Sequence, residues 1–291
     1  MIVVPGPASP DLGLKIAKLL KAKIVPVEFK FFPDGESYVK FTHKIEEDVI
    51  IVQTMNPPQD TRLMQLFLMA DAAADLGAKK ITLVVPYLAY ARQDKRFREG
   101  EAISILTIGK LLRALKVNRL ITVNAHSPKM LSEIGVKAEN LSAIHLLAEY
   151  FEKQGLKGAV SLSPGKKAME MAIEAEKVLK GGYYCLETHR DVATGKVKVE
   201  TRGLTVRGKN VVIFDDIIST GGTMAESVRI AKQNGAKSVY VACVHPLLLG
   251  EAKKKILQSG AEKIVGTDTV PSPVGIVSVA GLIAKSIEEK S

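Results

Sequence analysis

Short Val- and Ile-rich runs alternate along this chain with longer stretches in which apolar residues recur every three or four positions. Val49 to Gln53 reads as a strand, Thr61 to Leu76 as a helix and Ile81 to Pro86 as the next strand. The alternation returns in a helix over Ser104 to Leu115 and a strand over Leu120 to Asn124. It returns again in a helix over Thr223 to Asn234 and a strand over Ser238 to Val244. Strands that are apolar nearly throughout, rather than at every second position, have both faces covered; with helices between them they form parallel sheets. The predicted class is α/β.

Two stretches echo each other. VIIVQT (Val49 to Thr54), a helix and DLGAKKITLVVPYL (Asp75 to Leu88) correspond to VVIFDD (Val211 to Asp216), a helix and QNGAKSVYVACVHPLL (Gln233 to Leu248). In both, a Gly-Ala-Lys turn closes the helix and launches the next strand, with glycine where a helix end turns left-handed. The echo predicts two tandem Rossmann-like domains of one fold, divided near Asn140 to Ala143 into 1–142 and 143–291. A new helix is expected from Leu141 to Phe151, and the last helical pattern, Ile276 to Glu289, is expected to pack back across the first domain.

Only the second copy ends its strand in acid. In VVIFDDIISTGGTM (Val211 to Met224), Asp215 and Asp216 close the apolar run, and Ser219, Thr220, Gly221, Gly222 and Thr223 follow. Adjacent carboxylates accept hydrogen bonds from vicinal hydroxyls, or hold a cation that does so. Hydroxyls and unobstructed N–H groups at a helix N-terminus favour phosphate, because the partial charge there is positive. A capped tight turn accounts for the Ser, Thr and Gly residues but not for the paired aspartates. A ribose 5-phosphate moiety has the required shape.

Three other polar segments stand out. YARQDKRFREGEAIS (Tyr90 to Ser104) places Arg92, Lys95, Arg96 and Arg98 in one loop beside Gln93 and Asp94, enough positive charge to close over a triphosphate. FFPDGESYVK (Phe31 to Lys40) carries an Asp34-Gly35 turn between two strand-like runs. In TVNAHSPKM, His126 follows a strand, where a loop imidazole meets a cation, a phosphate oxygen or solvent.

Composition narrows the classes. The 291 residues, 46% hydrophobic, suffice for two cores. Cys185 and Cys243 show no CxxC or Cys/His spacing and read as small core residues of a protein from a reducing cytoplasm, not as zinc ligands. The opening MIVVPGPASPDLG has no basic segment followed by a long apolar one, and no window approaches about 18 uninterrupted apolar residues. A cytoplasmic protein without membrane contact is expected. The net charge of +10 suits polyanionic small substrates. Lysines and arginines are dispersed and aromatics make up only 5%, so no nucleic-acid partner is expected.

The aspartate-glycine stretch resembles the ribose-5-phosphate and PRPP loop shared by type I phosphoribosyltransferases and ribose-phosphate pyrophosphokinases. FFPDGESYVK and YARQDKRFREGEAIS resemble segments of the pyrophosphokinases alone, and GTDTVP (Gly266 to Pro271) and the duplicated architecture also fit that family. The resemblance implies two phosphoribosyltransferase-type domains and transfer of a diphosphoryl group from ATP to ribose 5-phosphate, with Mg2+ as cofactor. It implies ATP binding by Phe32, Asp34, Glu36, Arg92, Gln93 and Asp94, and ribose-5-phosphate binding by Asp215, Asp216 and Ser219 to Thr223 (Ser219, Thr220, Gly221, Gly222, Thr223). It assigns catalysis to Arg92 and Arg190 and a metal contact to His126. A homo-oligomer sharing its ATP site between subunits is implied as well.

Three positions depart from the family pattern. Ser163-Pro164-Gly165-Lys166-Lys167 lacks the aspartate that the family carries where Gly165 stands. Thr188 occupies the family's catalytic lysine position in Glu187-Thr188-His189-Arg190, and Asn124 occupies that of an aspartate. Lys166, Lys167 and His189 lie close enough in sequence to supply a replacement cation. One missing transition-state donor costs about 2.7–4 kcal/mol, a hundred- to a thousandfold in rate. The alternative expectation is a non-catalytic subunit that partners an active paralogue; a plain phosphoribosyltransferase ranks third, since it has no role for the ATP-type loop.

Overall fold

Two parallel six-stranded sheets with the same strand order carry the fold of this computed structural model. It describes residues 1–190, 197–200 and 204–290, of which 187–190 and 197–200 are described by their backbone alone. The chain divides into one unit of Met1–Ser142, Thr269–Pro271 and Ser278–Ser291 and another of Ala143–Asp268 and Ser272–Val277.

In the first unit the chain runs through β1 (Ile2–Pro5), α1 (Pro10–Leu19), β2 (Lys23–Ile24), β3 (Val27–Phe31) and β4 (Ser37–Phe41). It continues through β5 (Val49–Val52), α2 (Gln59–Asp75), β6 (Ile81–Val84), α3 (Ser104–Ala114), β7 (Arg119–Val123) and β8 (Lys137–Leu141). The sheet order is β2-β1-β5-β6-β7-β8, and β3 and β4 form a separate antiparallel hairpin. Val4, Ile51, Leu83 and Leu120 lie in register across four neighbouring strands, all fully buried. Each such side chain contributes about 1.5–3 kcal/mol on burial.

The second unit repeats the plan. It holds α4 (Ile144–Phe151), β9 (Val160–Ser163), α5 (Met169–Leu179), β10 (Tyr183–Cys185), β11 (Glu187–Arg190), β12 (Val197–Glu200) and β13 (Asn210–Ile218). Then come α6 (Gly222–Gln233), β14 (Ser238–Pro246), α7 (Ala252–Gln258), β15 (Lys263–Thr267) and β16 (Gly275–Val277). The order β10-β9-β13-β14-β15-β16 matches that of the first sheet, and Leu162, Ile213, Val241 and Ile264 form the equivalent buried row. Gly77 and Gly235, the glycines of the two echoing turns, have φ of +93° and +83°, a region other residues enter only with strain. The last helix, α8 (Ala280–Glu288), returns to the first unit and packs on α1. Arg119 fixes it there: its Nη2 donates to the Ser286 carbonyl at 3.0 Å, to Ser286 Oγ at 2.9 Å and to Glu139 at 2.7 Å.

Several boundaries differ from the sequence pattern. Strand β13 does not stop at the aspartates: Ile217 and Ile218 are buried and pair with His245 and Pro246, so the strand runs through both acids. Residues 275–277 pair with β15, which delays the last helix to Ala280. Leu141 ends β8, so the helix expected from there begins at Ile144. Cys243 is a core residue as expected, whereas Cys185 is only half-buried. Among the described residues, no helix is long and apolar enough to cross a membrane.

Candidate active site

In a parallel sheet the ligand-facing loops lie at the carboxyl ends of the strands. The second unit has two such loops side by side, because β9 and β13 are neighbours. After β13, Gly221 takes φ +72° as the residue capping α6. Its absent side chain also matters: a Cβ there would lie 3.1 Å from the Ala252 carbonyl oxygen. Ser219 and Gly222 are half-buried, Gly221 is buried, and Thr220 and Thr223 are exposed, which sets hydroxyl-bearing residues at the positive end of the helix. Asp215 accepts from Asp216 N–H at 3.0 Å, and Asp216, which is buried, accepts from Ile217 N–H at 2.9 Å. These bonds fix the orientation of both carboxylates on a rigid strand. Beneath them, burial first and then the charges of Asp215 and Asp216 push the Cys243 thiol well above its usual pKa, so it stays protonated and inert.

One cation near this loop gave no sequence signal. The Lys255 ammonium, on α7, lies 3.6 Å from where a Cβ at Gly222 would stand. Two positive features thus meet, the helix end and the lysine, an arrangement that an anion stabilises. The separation of some thirty residues hid it.

The loop after β9 holds the first departure from the family pattern. Pro164 is buried, Gly165 is extended, and Lys166 and Lys167 are exposed. The Gly165 N–H donates to Ser163 Oγ at 3.3 Å, which keeps the loop tight against its strand. Arg190 and Thr188 lie on β11, paired antiparallel with β12; their side chains lie outside the described residues.

The first unit carries the remaining predicted residues. The β3–β4 hairpin turns through Gly35, with φ +96°, and Glu36 N–H donates to Asp34 Oδ1 at 3.2 Å. Phe32 is 41% exposed at the turn, edge-on to Tyr38 with ring centroids 5.8 Å apart and with the Lys30 ammonium 5.3 Å from its ring centre. Asp34 and Glu36 are exposed beside it.

The loop of Arg92, Gln93 and Asp94 is tethered at several points. Tyr90, at φ +65°, donates its hydroxyl to Asp60 in the first turn of α2. Ser127 Oγ donates to Asp94 Oδ2 at 2.8 Å, so the ATP-type loop is tied to the residue following His126. Gln93 Nε2 donates to Glu101 at 3.1 Å. Arg92 is exposed. Asp60, Glu101 and Ser127 were missed in the sequence because each is an ordinary polar residue until the fold sets it against this loop.

Asn124 precedes His126 on the turn after β7. Its φ is +39°, and its Nδ2 donates to Ser142 Oγ at 3.5 Å. Among the described residues, no group of three or more His, Cys, Asp or Glu side chains is placed to hold a metal ion. Magnesium does not need one, since it keeps several waters and is held by one or two protein groups plus substrate phosphates. His126, and Asp94 held by the adjacent Ser127, are residue types that fit that mode.

Comparison with known proteins gives a consistent result. Residues 1–115 match the model of the N-terminal domain of ribose phosphate pyrophosphokinase, and residues 190–287 match that of the phosphoribosyl synthetase-associated domain. A ribose-phosphate pyrophosphokinase of Saccharolobus solfataricus is 42% identical over 93% of both chains. One of Methanopyrus kandleri is 39% identical over the whole of both. Among solved structures, phosphoribosylpyrophosphate synthetase from Mycobacterium smegmatis superposes with a TM-score of 0.89 at 28% identity, covering 99% of this chain and 97% of that one.

Proposed function

This chain belongs to the ribose-phosphate pyrophosphokinase family, and on that premise we propose that it transfers the β,γ-diphosphoryl group of ATP to O1 of ribose 5-phosphate. The full-length match to enzymes of that name carries the reading. It favours an active transferase over a non-catalytic partner of an active paralogue.

The 1-hydroxyl oxygen of ribose 5-phosphate attacks the β-phosphorus in line. The bond from that phosphorus to the α,β-bridging oxygen breaks, the hydroxyl proton is released to solvent, and the products are AMP and PRPP. Such a reaction requires alignment and charge stabilisation rather than a covalent nucleophile. In the second unit, Ser219 to Thr223 receive the 5-phosphate on N–H groups and hydroxyls, Lys255 adds a cation, and Asp215 and Asp216 orient the ribose hydroxyls. In the first unit, Phe32 stacks on the adenine while Asp34 and Glu36 face its polar edge. Arg92 and Gln93 bind the phosphates, and Arg92 and Arg190 stabilise the charge that moves.

Magnesium, when bound, would supply charge neutralisation on the phosphate oxygens, and His126, with Asp94 tied to the adjacent Ser127, would hold it. Lys166 and Lys167 lie on the loop beside β13 and supply the cations at the altered corner; unchanged turnover in Lys166→Ala and Lys167→Ala would remove them from the account. The exposed Phe31 and Phe32 support a homo-oligomer in which the hairpin meets a second copy. A cytoplasmic location agrees with the substrates.

The test is a phosphorus NMR time course with ATP, magnesium and ribose 5-phosphate. AMP and the PRPP diphosphate are expected to rise in equal amounts. ADP, or intact ATP in a sample that still binds it, would refute the assignment.

A further inference from the structure

The loop that follows Tyr90 contains an acid to which the proposed chemistry gives no role. Glu101 Oε2 accepts three hydrogen bonds, from Phe97 N–H at 2.8 Å, Arg98 N–H at 3.2 Å and Gln93 Nε2 at 3.1 Å. The backbone oxygen of the same residue accepts from Arg96 Nε at 3.0 Å. Gln93 Nε2 also donates to the Lys95 carbonyl at 3.2 Å. One residue thus gathers the side chains of Gln93 and Arg96 and the backbone of residues 97 and 98 around itself.

This arrangement answers a physical problem. Arg92, Lys95, Arg96 and Arg98 repel one another, residues 95–100 are exposed, and Phe97 has no core to enter. Asp94 is engaged by Ser127 and Glu99 is exposed, so an exposed polar loop with four cations and no core loses its order unless an acid gathers its side chains and backbone, as Glu101 does. Two successive N–H groups and an amide directed at one point form an anion-binding concavity, and Glu101 fills it. Those N–H groups hold the carboxyl below the usual carboxylate range, so the acid is ionised at neutral pH.

We propose that Glu101 is a positioning residue: its carboxylate preorganises the loop so that Gln93 and Arg92 meet ATP already arranged. This rests on the assignment of the loop to ATP. Without the carboxylate, the loop must be ordered by ATP itself, and the cost of that ordering appears as weaker binding. Glu101 acts through Gln93 and the backbone of residues 97 and 98 rather than by touching ATP itself.

The experiment combines two readouts on the full chain with Glu101→Ala and the near-isosteric Glu101→Gln. In steady-state kinetics, Glu101→Ala is expected to raise KM for ATP about tenfold with kcat and KM for ribose 5-phosphate within about twofold, since preorganisation acts on binding. Glu101→Gln, which keeps one neutral acceptor, falls between. In limited trypsin digestion without ligand, Glu101→Ala is cut faster than wild type after Lys95, Arg96 and Arg98. A KM for ATP that is unchanged or lower, or a wild-type cleavage rate, overturns the proposal. The ATP assignment is read separately in the wild-type protein: a non-hydrolysable ATP analogue with magnesium must slow cleavage of this loop. If it does not, that assignment fails and the Glu101 inference with it; if it does, the variants judge Glu101 alone.

Discussion

The two units finish the same position in the same fold in opposite ways. Strands β5 and β13 are both the third strand of a six-stranded parallel sheet. Beyond β5 stand Gln53 and Thr54, both buried. Gln53 Oε1 accepts from Ala8 N–H at 3.0 Å, and its Nε2 donates to Gln65 at 3.3 Å. Thr54 Oγ1 donates to the Thr269 carbonyl at 2.7 Å and accepts from Tyr87 N–H at 3.3 Å, while its own N–H donates to Ser9 Oγ at 2.8 Å. Every polar group named here is occupied by the protein itself. Strand β13 instead ends in an open loop at a helix N-terminus. The end of β5 is thus closed by the protein's own hydrogen bonds while the end of β13 is left open, and the residues proposed to meet ATP in the first unit lie instead on the β3–β4 hairpin and the loop after Tyr90.

Substitutions can sharpen or break this contrast. The largest effect is expected from Arg92→Ala in the long loop: loss of a transition-state donor lowers kcat/KM by about a hundred- to a thousandfold, measured in steady state. In the open copy, Asp216→Asn keeps an oxygen for Ile217 N–H but loses the charge. Its KM for ribose 5-phosphate should rise by about tenfold, the worth of one charge-assisted bond, while KM for ATP stays level. Lys255→Ala should act in the same direction more weakly. Equal effects on both substrates would break the division between the units.

In the closed copy, Thr54→Val leaves the Thr269 carbonyl and the Tyr87 N–H without their partner. A loss of about 1–3 kcal/mol in urea unfolding is expected, with kcat unchanged in the folded protein. A large fall in kcat at unchanged stability would mean that the closed position still serves the reaction.

The smallest effect concerns the C-terminal helix. Burial alone would raise the Glu139 carboxyl, but hydrogen bonds from Lys290, Arg119 and Ser286 outweigh it and hold the pKa below its ordinary value. A depressed folded pKa contributes stability that is present above the unfolded pKa and lost as pH falls through the folded one. Acid unfolding of Glu139→Gln should therefore show a shallower loss over that interval than wild type; identical curves would remove Glu139 from the acid response.

The α/β class, the parallel sheets and the duplication were legible because apolar runs such as Val49 to Val52 and the two Gly-Ala-Lys turns are local signals. The end of strand β13 is not legible, because two aspartates look like a terminus although Ile217 and Ile218 continue the pairing. The last helix was drawn too long because a three-residue strand, Gly275–Val277, leaves no periodic trace of its own. Of the proposed site, the glycine loop and the YARQD segment stand out in the sequence, since their residue types are unusual in combination. Glu101, Ser127, Asp60 and Lys255 do not: each is singled out only by a neighbour that the fold brings near.

The division of substrates between the two copies is tested most directly by hydrogen–deuterium exchange of the whole protein with each ligand separately. Ribose 5-phosphate is predicted to protect the segment from Ser219 to Met224, and a non-hydrolysable ATP analogue with magnesium to protect the Phe32–Glu36 turn and the loop from Arg92 to Glu101. Protection of the same segments by both ligands, or of the buried Gln53–Thr54 end by ribose 5-phosphate, would contradict it.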